Sequence, residues 1–435
     1  MQFRTNVLYD GLYTFAAQSL NVVLAFGLGL LTARLLGPTG KGLYVLPAVQ
    51  AGIVSAVFGG LTSTASYYLL NEGAGRGIVR ALALVTAFFV ACGSLVVVGL
   101  AFATHALWAA PAAIASLPAM AAICAVRGYV TGIKRIRYVA NLSLTLSTVT
   151  LTLTAVALFL VARSAIAAVA AWVCAMYVVG AISWIAMACH ARTLEPGRRI
   201  DLKRFASMAL RGGATALVTL LNYRADVYIV AILLPPRELG LYSVATSAPQ
   251  ALLFPAQVAA TVASPHIGGL DRQSAARLAA RCARHSMLIS LVICVAVWIL
   301  APFLIGTFYG DAFLPLVPSL RILLFGVVVM ALAGPISSYY TLKLAKPEVP
   351  LALAGLSAAI CISLTFVLIP QFGIAGAAVA STVAYAVGQG AALLFFRKGT
   401  GVGLRTMLLP TALDLRLYLD FAVQLRRDAA RLLRA

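Results

Sequence analysis

The main pattern along the chain is a recurrence of apolar runs, each about 20 residues long, separated by short polar or basic connections. A helix of about 20 residues crosses the hydrocarbon core of a bilayer, and lipid cannot satisfy open backbone groups. The two-residue alternation typical of barrel strands is absent. We therefore predict twelve transmembrane helices, at residues 11–33, 43–70, 78–103, 111–131, 139–162, 165–189, 209–234, 241–266, 285–308, 316–342, 349–369 and 373–396.

The composition agrees with this pattern. Of the 435 residues, 62% are hydrophobic and only 10% are charged. Soluble domains are about 45–50% apolar and about 25% charged. This departure excludes a soluble enzyme, a disordered chain and a fibrous protein, and it predicts an all-α polytopic membrane protein.

The basic residues predict the orientation of the helices. Lys and Arg together number 33, against 12 acidic residues. With the N-terminus inside, 27 of the 33 fall on the inner side, five fall outside, and Arg224 lies within a span. Cytoplasmic loops of membrane proteins are enriched in Lys and Arg. Both termini are therefore expected in the cytoplasm, and the excess of positive charge requires no nucleic acid.

The longest charged connection divides the chain into two halves. We predict an N-terminal six-helix lobe at 1–190, a basic linker at 191–208, a C-terminal six-helix lobe at 209–396 and a basic amphipathic tail at 397–435. The stretches 271–284 and 404–435 are both basic and amphipathic, with Leu413, Leu417 and Phe421 sharing one face of the tail. Such segments are typical of contacts with anionic membrane lipid.

The two lobes resemble each other in sequence. LLGPTGKGLYVLPAVQ at 35–50 matches LLPPRELGLYSVATSA at 233–248 with a shift of 198, and 164–180 matches 372–388 with a shift of 208. Six spans is an even number, so both halves enter the membrane from the same side. The sequence therefore predicts parallel repeats related by a pseudo-two-fold axis along the membrane normal, an arrangement typical of alternating-access transporters.

Polar side chains recur at helical spacing within several spans. A polar stripe facing lipid is costly, so these faces should point inward. They can either join helices through hydrogen bonds or line a water-filled cavity, and the sequence leaves both open. The stripes comprise Asp10, Thr14, Gln18 and Asn21; Ser55, Gly59, Thr62 and Ser66; Thr215, Thr219, Asn222 and Asp226; and Ser243, Ser247, Gln250, Gln257 and Thr261.

Ionised groups within spans are the strongest candidates for function. A charge at the bilayer centre costs roughly 2.5–3.5 kcal/mol on insertion scales. Arg224 and Asp226 lie two residues apart on one helix, so they face different directions and should not pair. Asp226 could carry a coupling ion or only neutralise an arginine. The predicted substrate-binding set is Arg224, Asn222, Asp226, Gln18, Asn21, Gln250, Gln257, Arg34, Arg127 and Arg321.

The seven cysteines and four histidines show none of the spacings of metal sites or disulfide frameworks. We predict no metal, no cofactor and no catalytic residue.

Two segments resemble a known family. TARLLGPTGKGLYVLPA (32–48) and NYRADVYIVAILLPPRELGLYSVA (222–245), with a weaker match in IPQFGIAGAAVAST (369–382), are similar to the Wzx-type oligosaccharide flippases. These flippases form the polysaccharide-transport branch of the multidrug/oligosaccharidyl-lipid/polysaccharide exporter superfamily. The resemblance implies two lobes around a central cavity lined mainly by helices 1, 2, 7 and 8.

The resemblance also implies a substrate and a location. The substrate would be an oligosaccharide on undecaprenyl pyrophosphate, moved from the inner to the outer leaflet of the bacterial inner membrane. The product would serve O-antigen, exopolysaccharide or capsule synthesis, with a glycan polymerase as a candidate partner.

Three alternatives stay open. A cation-coupled multidrug antiporter of the same superfamily would need several carboxylates in the cavity, and only Asp226 is clearly buried in a span. A glycan polymerase or ligase would need a substantial outer loop with catalytic residues, whereas the outer connections are short. A scaffold without transport would not need buried ionisable residues.

Overall fold

A computed structural model of the chain describes residues 2–73, 75, 77–195, 202–410 and 414, and the side chains of residues 2–12 and of a few other positions lie outside this description. The described part is built of helices and short connections. The α-helices are α1 (Gln2–Asn71), α2 (Gly77–Ala103), α3 (Ala110–Gly132), α4 (Ile136–Val156), α5 (Ala165–Ala191), α6 (Leu202–Leu233), α7 (Pro236–Leu252), α8 (Phe254–Gly269), α9 (Arg272–Tyr309), α10 (Val317–Met330), α11 (Ala333–Ser338), α12 (Glu348–Thr400) and α13 (Leu404–Leu408).

Nine helical segments in the described residues are long and apolar enough to cross a membrane. The all-α, multi-pass class predicted from the hydrophobic pattern is therefore confirmed. Two of the nine are far longer than one span, at Tyr13–Asn71 and Glu348–Thr400. Each of these two contains a glycine with a positive φ angle, Gly37 at 67° and Gly373 at 55°.

The chain folds back on itself at both glycines. Lys41 Nζ lies 2.6 Å from Thr32 Oγ1, although nine residues of straight helix would separate the two positions by about 13 Å. Likewise, a Cβ added at Gly376 would come within 3.0 Å of the carbonyl oxygen of Leu368, eight residues earlier. Glycine is needed at such reversals because other residues adopt a positive φ angle only with strain. Gly37 falls in a predicted connection between spans, and Gly373 is the first residue of the span predicted at 373–396. The number of twelve spans stays a prediction.

The repeated Gly-Leu-Tyr motifs meet each other in the structure. A Cβ at Gly42 would lie within 3.0 Å of the carbonyl oxygen of Pro236, and a Cβ at Gly240 would lie equally close to that of Pro38. These two contacts are reciprocal: each glycine approaches the proline that precedes the other motif. Reciprocal contacts are what a two-fold relation between two segments produces. They support the repeat at a shift of 198.

By its internal contacts the chain divides into two compact units. The first comprises Met1–Ala251, Val297–Leu324 and Ala354–Ala384, and the second comprises Leu252–Ala296, Phe325–Leu353 and Tyr385–Ala435. The predicted boundaries of the two lobes, the linker and the tail stay predictions. Residues 196–201 of the linker and residues 411–413 and 415–435 of the tail, including Leu413, Leu417 and Phe421, lie outside the described residues.

The start of α9 corrects one expectation within the second unit. The basic stretch 271–284 is continuous with the membrane-crossing helix, and its alanine face packs against protein rather than lying on a lipid surface. Asp271 precedes the helix, and its Oδ2 accepts hydrogen bonds from the backbone N–H groups of Gln273 and Ser274. Hydrogen bonds from the side chain and the backbone of Ser274 lower the pKa of the Asp271 carboxyl. The core around this face contains Ala275, Ala276, Ala279, Ala280, Ala283, Tyr339, Tyr340, Phe396 and Met407.

Candidate functional site

Arg224 lies on α6 with its side chain exposed, within the segment predicted as the seventh span. Its Nη2 donates a hydrogen bond of 2.7 Å to Oε1 of Gln250 on α7. Both residues belong to the predicted substrate-binding set, so the structure brings two of its members together. The exposed guanidinium keeps donors that Gln250 does not use, because a guanidinium has five N–H groups.

Asp226 occupies a different environment from Arg224. The residue is 3% exposed, and its carboxylate accepts hydrogen bonds from the Tyr242 hydroxyl (2.6 Å), the Ser381 hydroxyl (2.7 Å) and the backbone N–H of Val227 (2.8 Å). Arg224 and Asp226 therefore use different partners, as their spacing predicts. Three hydrogen bonds from protein groups satisfy much of the acceptor capacity of this buried carboxylate. They favour a structural role over contact with a mobile substrate.

The polar face of α6 has exposed residues in its N-terminal part and buried residues in its C-terminal part. Thr215 and Thr219 are exposed, whereas Asn222 is 9% exposed and Asp226 is buried on the same face. Oδ1 of Asn222 is buried without a hydrogen-bond partner among the described residues. The helical spacing identified this face, but the packing of Tyr242 and Ser381 against Asp226 decides which of its residues can meet a ligand.

Two other predicted arginines, Arg34 and Arg321, make well-defined protein contacts. Arg34 donates to the carbonyl oxygens of Thr307 and Phe308, at the C-terminal end of α9. Cations stabilise that end of a helix because its carbonyls are unpaired. Arg321 donates to the carbonyl oxygen of Trp298 (3.1 Å), and its guanidinium carbon lies 4.5 Å from the centroid of that ring. Through these contacts Arg34 and Arg321 stabilise the packing of helices on the side of the protein that is predicted to face outward.

Arg127 differs from these two arginines. It is exposed on α3, and its Nη2 donates 2.6 Å to Oγ of Ser143 on α4. From Ser116 to Val130, Arg127 is the single exposed residue of this otherwise packed helix. A charged side chain within a membrane-spanning helix pairs with a polar group or reaches water, and Arg127 has the polar partner Ser143.

The first arm of α1 provides two predicted residues. Asn21 accepts a hydrogen bond from Ser147 on α4, and Gln18 is exposed. Asp10 and Thr261, which belong to the predicted stripes, have side chains outside the described residues. Gln257 belongs to the second compact unit and is exposed there. The structure thus provides one cluster around Arg224 and Gln250, and another around Arg127, Asn21 and α4.

The stripe predicted on the second span joins helices. Thr62 and Ser66 are fully buried, and the Thr62 hydroxyl donates to the carbonyl oxygen of Phe58. Gly128 of α3 packs so closely here that an added Cβ would come within 3.0 Å of the Thr62 carbonyl oxygen. Small residues allow such backbone contact between helices in membranes.

Several important residues escaped the sequence analysis. Lys41, predicted in an outer connection, is 7% exposed and lies inside the α1 hairpin. Ser381 holds Asp226 from 155 residues away, and no local pattern could reveal that. The polar content of α4, with Asn141, Ser143 and a series of threonines, was readable in the sequence and was overlooked.

The fold resembles solved transporters of one superfamily. The chain aligns with a structure titled lipid II flippase MurJ, inward closed conformation, with a TM-score of 0.75, 14% identity, and coverage of 96% of this chain and 93% of that one. A transporter of the MOP superfamily from Pyrococcus furiosus aligns with a TM-score of 0.64 and 14% identity, over 91% of this chain and 95% of that one. An inward-facing MATE-family multidrug resistance transporter aligns with a TM-score of 0.66 and 15% identity, over 90% of this chain and 94% of that one. These similarities define the class: a multi-pass membrane protein with the MOP-superfamily fold.

A family model described as polysaccharide biosynthesis protein matches residues 78–318, more than half of the chain. The chain therefore belongs to this family, and the predicted relationship to the flippases of the superfamily is confirmed. No curated protein sequence matches the chain.

Proposed function

We propose that this protein is a flippase for a polyprenyl-pyrophosphate-linked oligosaccharide, which it moves from the inner to the outer leaflet of the bacterial inner membrane by alternating access. The proposal includes both termini in the cytoplasm and a role in polysaccharide synthesis. Its supports are the family, the fold and one observation in the site. That observation is the exposed Arg224, held by Gln250 within a membrane-spanning helix.

The chemistry of the substrate explains the need for such a site. A sugar head cannot cross hydrocarbon, because each hydroxyl would lose water without gaining a replacement. A guanidinium matches the oxygens of a phosphate with two parallel hydrogen bonds. In this proposal Arg224 binds the pyrophosphate, the amide of Gln250 positions the guanidinium, and the prenyl tail stays in lipid.

The main alternative is a cation-coupled multidrug antiporter. That function needs carboxylates that a cationic substrate or a coupling ion can reach. The carboxylate of Asp226 is buried and accepts three hydrogen bonds from protein groups. The cation Arg224, in contrast, is exposed. This contrast favours an anionic substrate. The predicted polymerase partner rests on the family alone.

Replacing Arg224 with glutamine is expected to lower the initial flipping rate by about 10-fold or more, because a hydrogen bond to a charged group contributes roughly 1.5–3 kcal/mol. Flipping is measured in proteoliposomes with a fluorescent undecaprenyl-pyrophosphate oligosaccharide. Arg224→Lys should retain part of the rate through its charge. Arg237→Gln is the matched control, since Arg237 is exposed and its partner is the adjacent Glu238. An unchanged rate in Arg224→Gln would remove the main support for the proposal.

Replacing Asp226 with asparagine tests ion coupling. We expect the variant to lose stability, because an amide accepts fewer hydrogen bonds than a carboxylate. Whatever dependence on a pH gradient the wild-type protein shows should persist in the folded variant. The measurement is flipping by equal amounts of folded protein with and without an imposed pH gradient. Loss of the pH dependence with retained flipping would assign coupling to Asp226 and contradict the structural role.

A further inference from the structure

One helix of the first unit exposes an unusual face. From Val139 to Ala155 the exposed side chains of α4 are Thr145, Thr148 and Thr152. Their spacings of three and four place them on one side of the helix. Measured along the axis from Thr145 to Thr152, this polar face is about 10 Å long.

The exposed face of α2 shows what a lipid-facing surface looks like in this protein. From Ala83 to Ala103 its exposed large side chains are apolar, and Cys92 is exposed among them. The hydroxyls of Thr148 and Thr152 donate to the backbone carbonyls of Leu144 and Thr148 of the same helix. Such bonds satisfy the hydroxyls and allow threonine to face lipid. The residues on neighbouring helices therefore determine whether this face contacts lipid or water. The exposed large apolar residues of α2 are Leu84, Phe88, Leu95, Val96, Val98 and Phe102.

Arg127 provides the first independent indication of water. It is the exposed charge of the packed helix α3, and it reaches Ser143 on α4. Arg137, at the same end of α4, is exposed and lies with its guanidinium carbon 5.8 Å from the centroid of the Tyr13 ring. Two cations therefore stand at the end of α4 that is predicted to face the cytoplasm.

The first arm of α1 provides the second indication. Tyr13 donates to Oδ1 of Asn141, and Ser147 donates to Oδ1 of Asn21, so polar groups link α1 to α4 at two levels. Gln18 lies between these levels and is exposed. An exposed amide, two exposed cations and three exposed threonines on neighbouring helices are too polar a set for a surface in contact with lipid.

We infer that α1, α3 and α4 form a hydrated groove that binds the carbohydrate head of the transported lipid, with its sugars along the threonine face and with Arg127 and Arg137 at the cytoplasmic end of the groove. This inference rests on the proposed function. The two cations lie at the end of α4 that is predicted to face the cytoplasm, and the threonine hydroxyls follow along the helix, where the sugars would extend. Threonine hydroxyls and the Gln18 amide both donate and accept, which suits sugar hydroxyls.

The first test measures whether the face is wet. Thr148→Cys is expressed in membranes and treated with a small anionic methanethiosulfonate, and peptide mass spectrometry quantifies the labelling. The thiolate is the reactive form and needs water to exist. Native Cys92, near the middle of α2, is the lipid-facing control within the same molecule. We expect labelling at position 148 to be at least about 10-fold faster than at Cys92.

Two labelling results would overturn the inference. Equal, slow labelling at both positions would mean that the threonine face meets lipid. Disulfide dimers between two copies of Thr148→Cys would mean that the face is an interface between protein chains. Neither result depends on transport. The labelling test therefore remains informative even if the flippase proposal fails.

The second test asks whether the hydroxyls contact the substrate. The triple variant Thr145→Val, Thr148→Val and Thr152→Val keeps the shape of the side chains and removes the hydroxyls. We expect its flipping rate to fall about 10-fold or more in proteoliposomes, whereas Thr150→Val, on the buried face of α4, keeps the rate. Normal flipping by the folded triple variant would refute the groove as a sugar site and leave the proposed function intact.

Discussion

Gly42→Ala is expected to prevent most of the protein from folding. A Cβ at this position would come within 3.0 Å of the carbonyl oxygen and carbon of Pro236. These are backbone atoms and cannot rotate away as a flexible side chain could. Overpacking typically costs 1–3 kcal/mol, and we expect about 3 kcal/mol or more here because two helix backbones must separate. The measurement is the thermal unfolding midpoint and the monodisperse yield of protein in detergent.

Gly29→Ala is the matched control on the same helix, because no heavy atom lies within 4 Å of the position of its added Cβ. Alanine is the better helix former, so this variant should unfold at or slightly above the wild-type midpoint. Gly240→Ala should reproduce the loss seen in Gly42→Ala, since the two contacts are reciprocal. Wild-type stability in Gly42→Ala would mean that the repeated motifs do not pack backbone to backbone.

The second large effect is expected at a buried ion pair of the second unit. Nη2 of Arg284 lies 2.9 Å from the carboxylate of Asp414, and the two side chains are only 5% and 2% exposed. Nη1 of Arg284 also donates to the carbonyl oxygen of Thr406, and Nε2 of His285 lies 3.3 Å from Asp414 Oδ1. Asp414→Ala leaves a buried guanidinium without its counter-charge. Removing one partner of such a pair typically costs about 3–5 kcal/mol.

This prediction is checked by thermal unfolding of the same purified variants. Arg281→Gln is the control, because Arg281 is exposed three residues away on the same helix, and it should change stability little. The double variant Arg284→Met and Asp414→Leu should be more stable than Asp414→Ala, since it removes both charges. If Asp414→Ala unfolded at the wild-type midpoint, the tail would not be held by this pair.

Much of the fold was predictable because lipid restricts a chain so strongly. The spans predicted at 78–103 and 165–189 correspond to α2 (Gly77–Ala103) and α5 (Ala165–Ala191) within two residues. Hydrophobic length alone sets these boundaries. The same reasoning placed one connection at Gly37 and another directly before Gly373, where glycine and proline interrupt long apolar runs.

The candidate site was only partly predictable, as α6 illustrates. Helical spacing grouped Thr215, Thr219, Asn222 and Asp226 on one face, and two of these four are exposed. The stretch 271–284 was expected at a lipid surface, yet its alanines pack against Tyr339 and Phe396. Periodicity identified the apolar face of 271–284 but not the protein core against which it packs, and on α6 it left open which polar residues are buried between helices.

The sequence by itself determined that this is a multi-pass helical membrane protein with an internal repeat, because hydrophobic length and periodicity are local properties of a chain. Tertiary structure alone decided that Asp226 is enclosed while Arg224 is exposed, that Arg34 and Arg321 contact helix carbonyls, and that Asp414 neutralises Arg284. The physical reason is distance along the chain. Ser381 and Asp414 reach their partners across 155 and 130 residues, and such contacts leave no trace in the spacing of either segment.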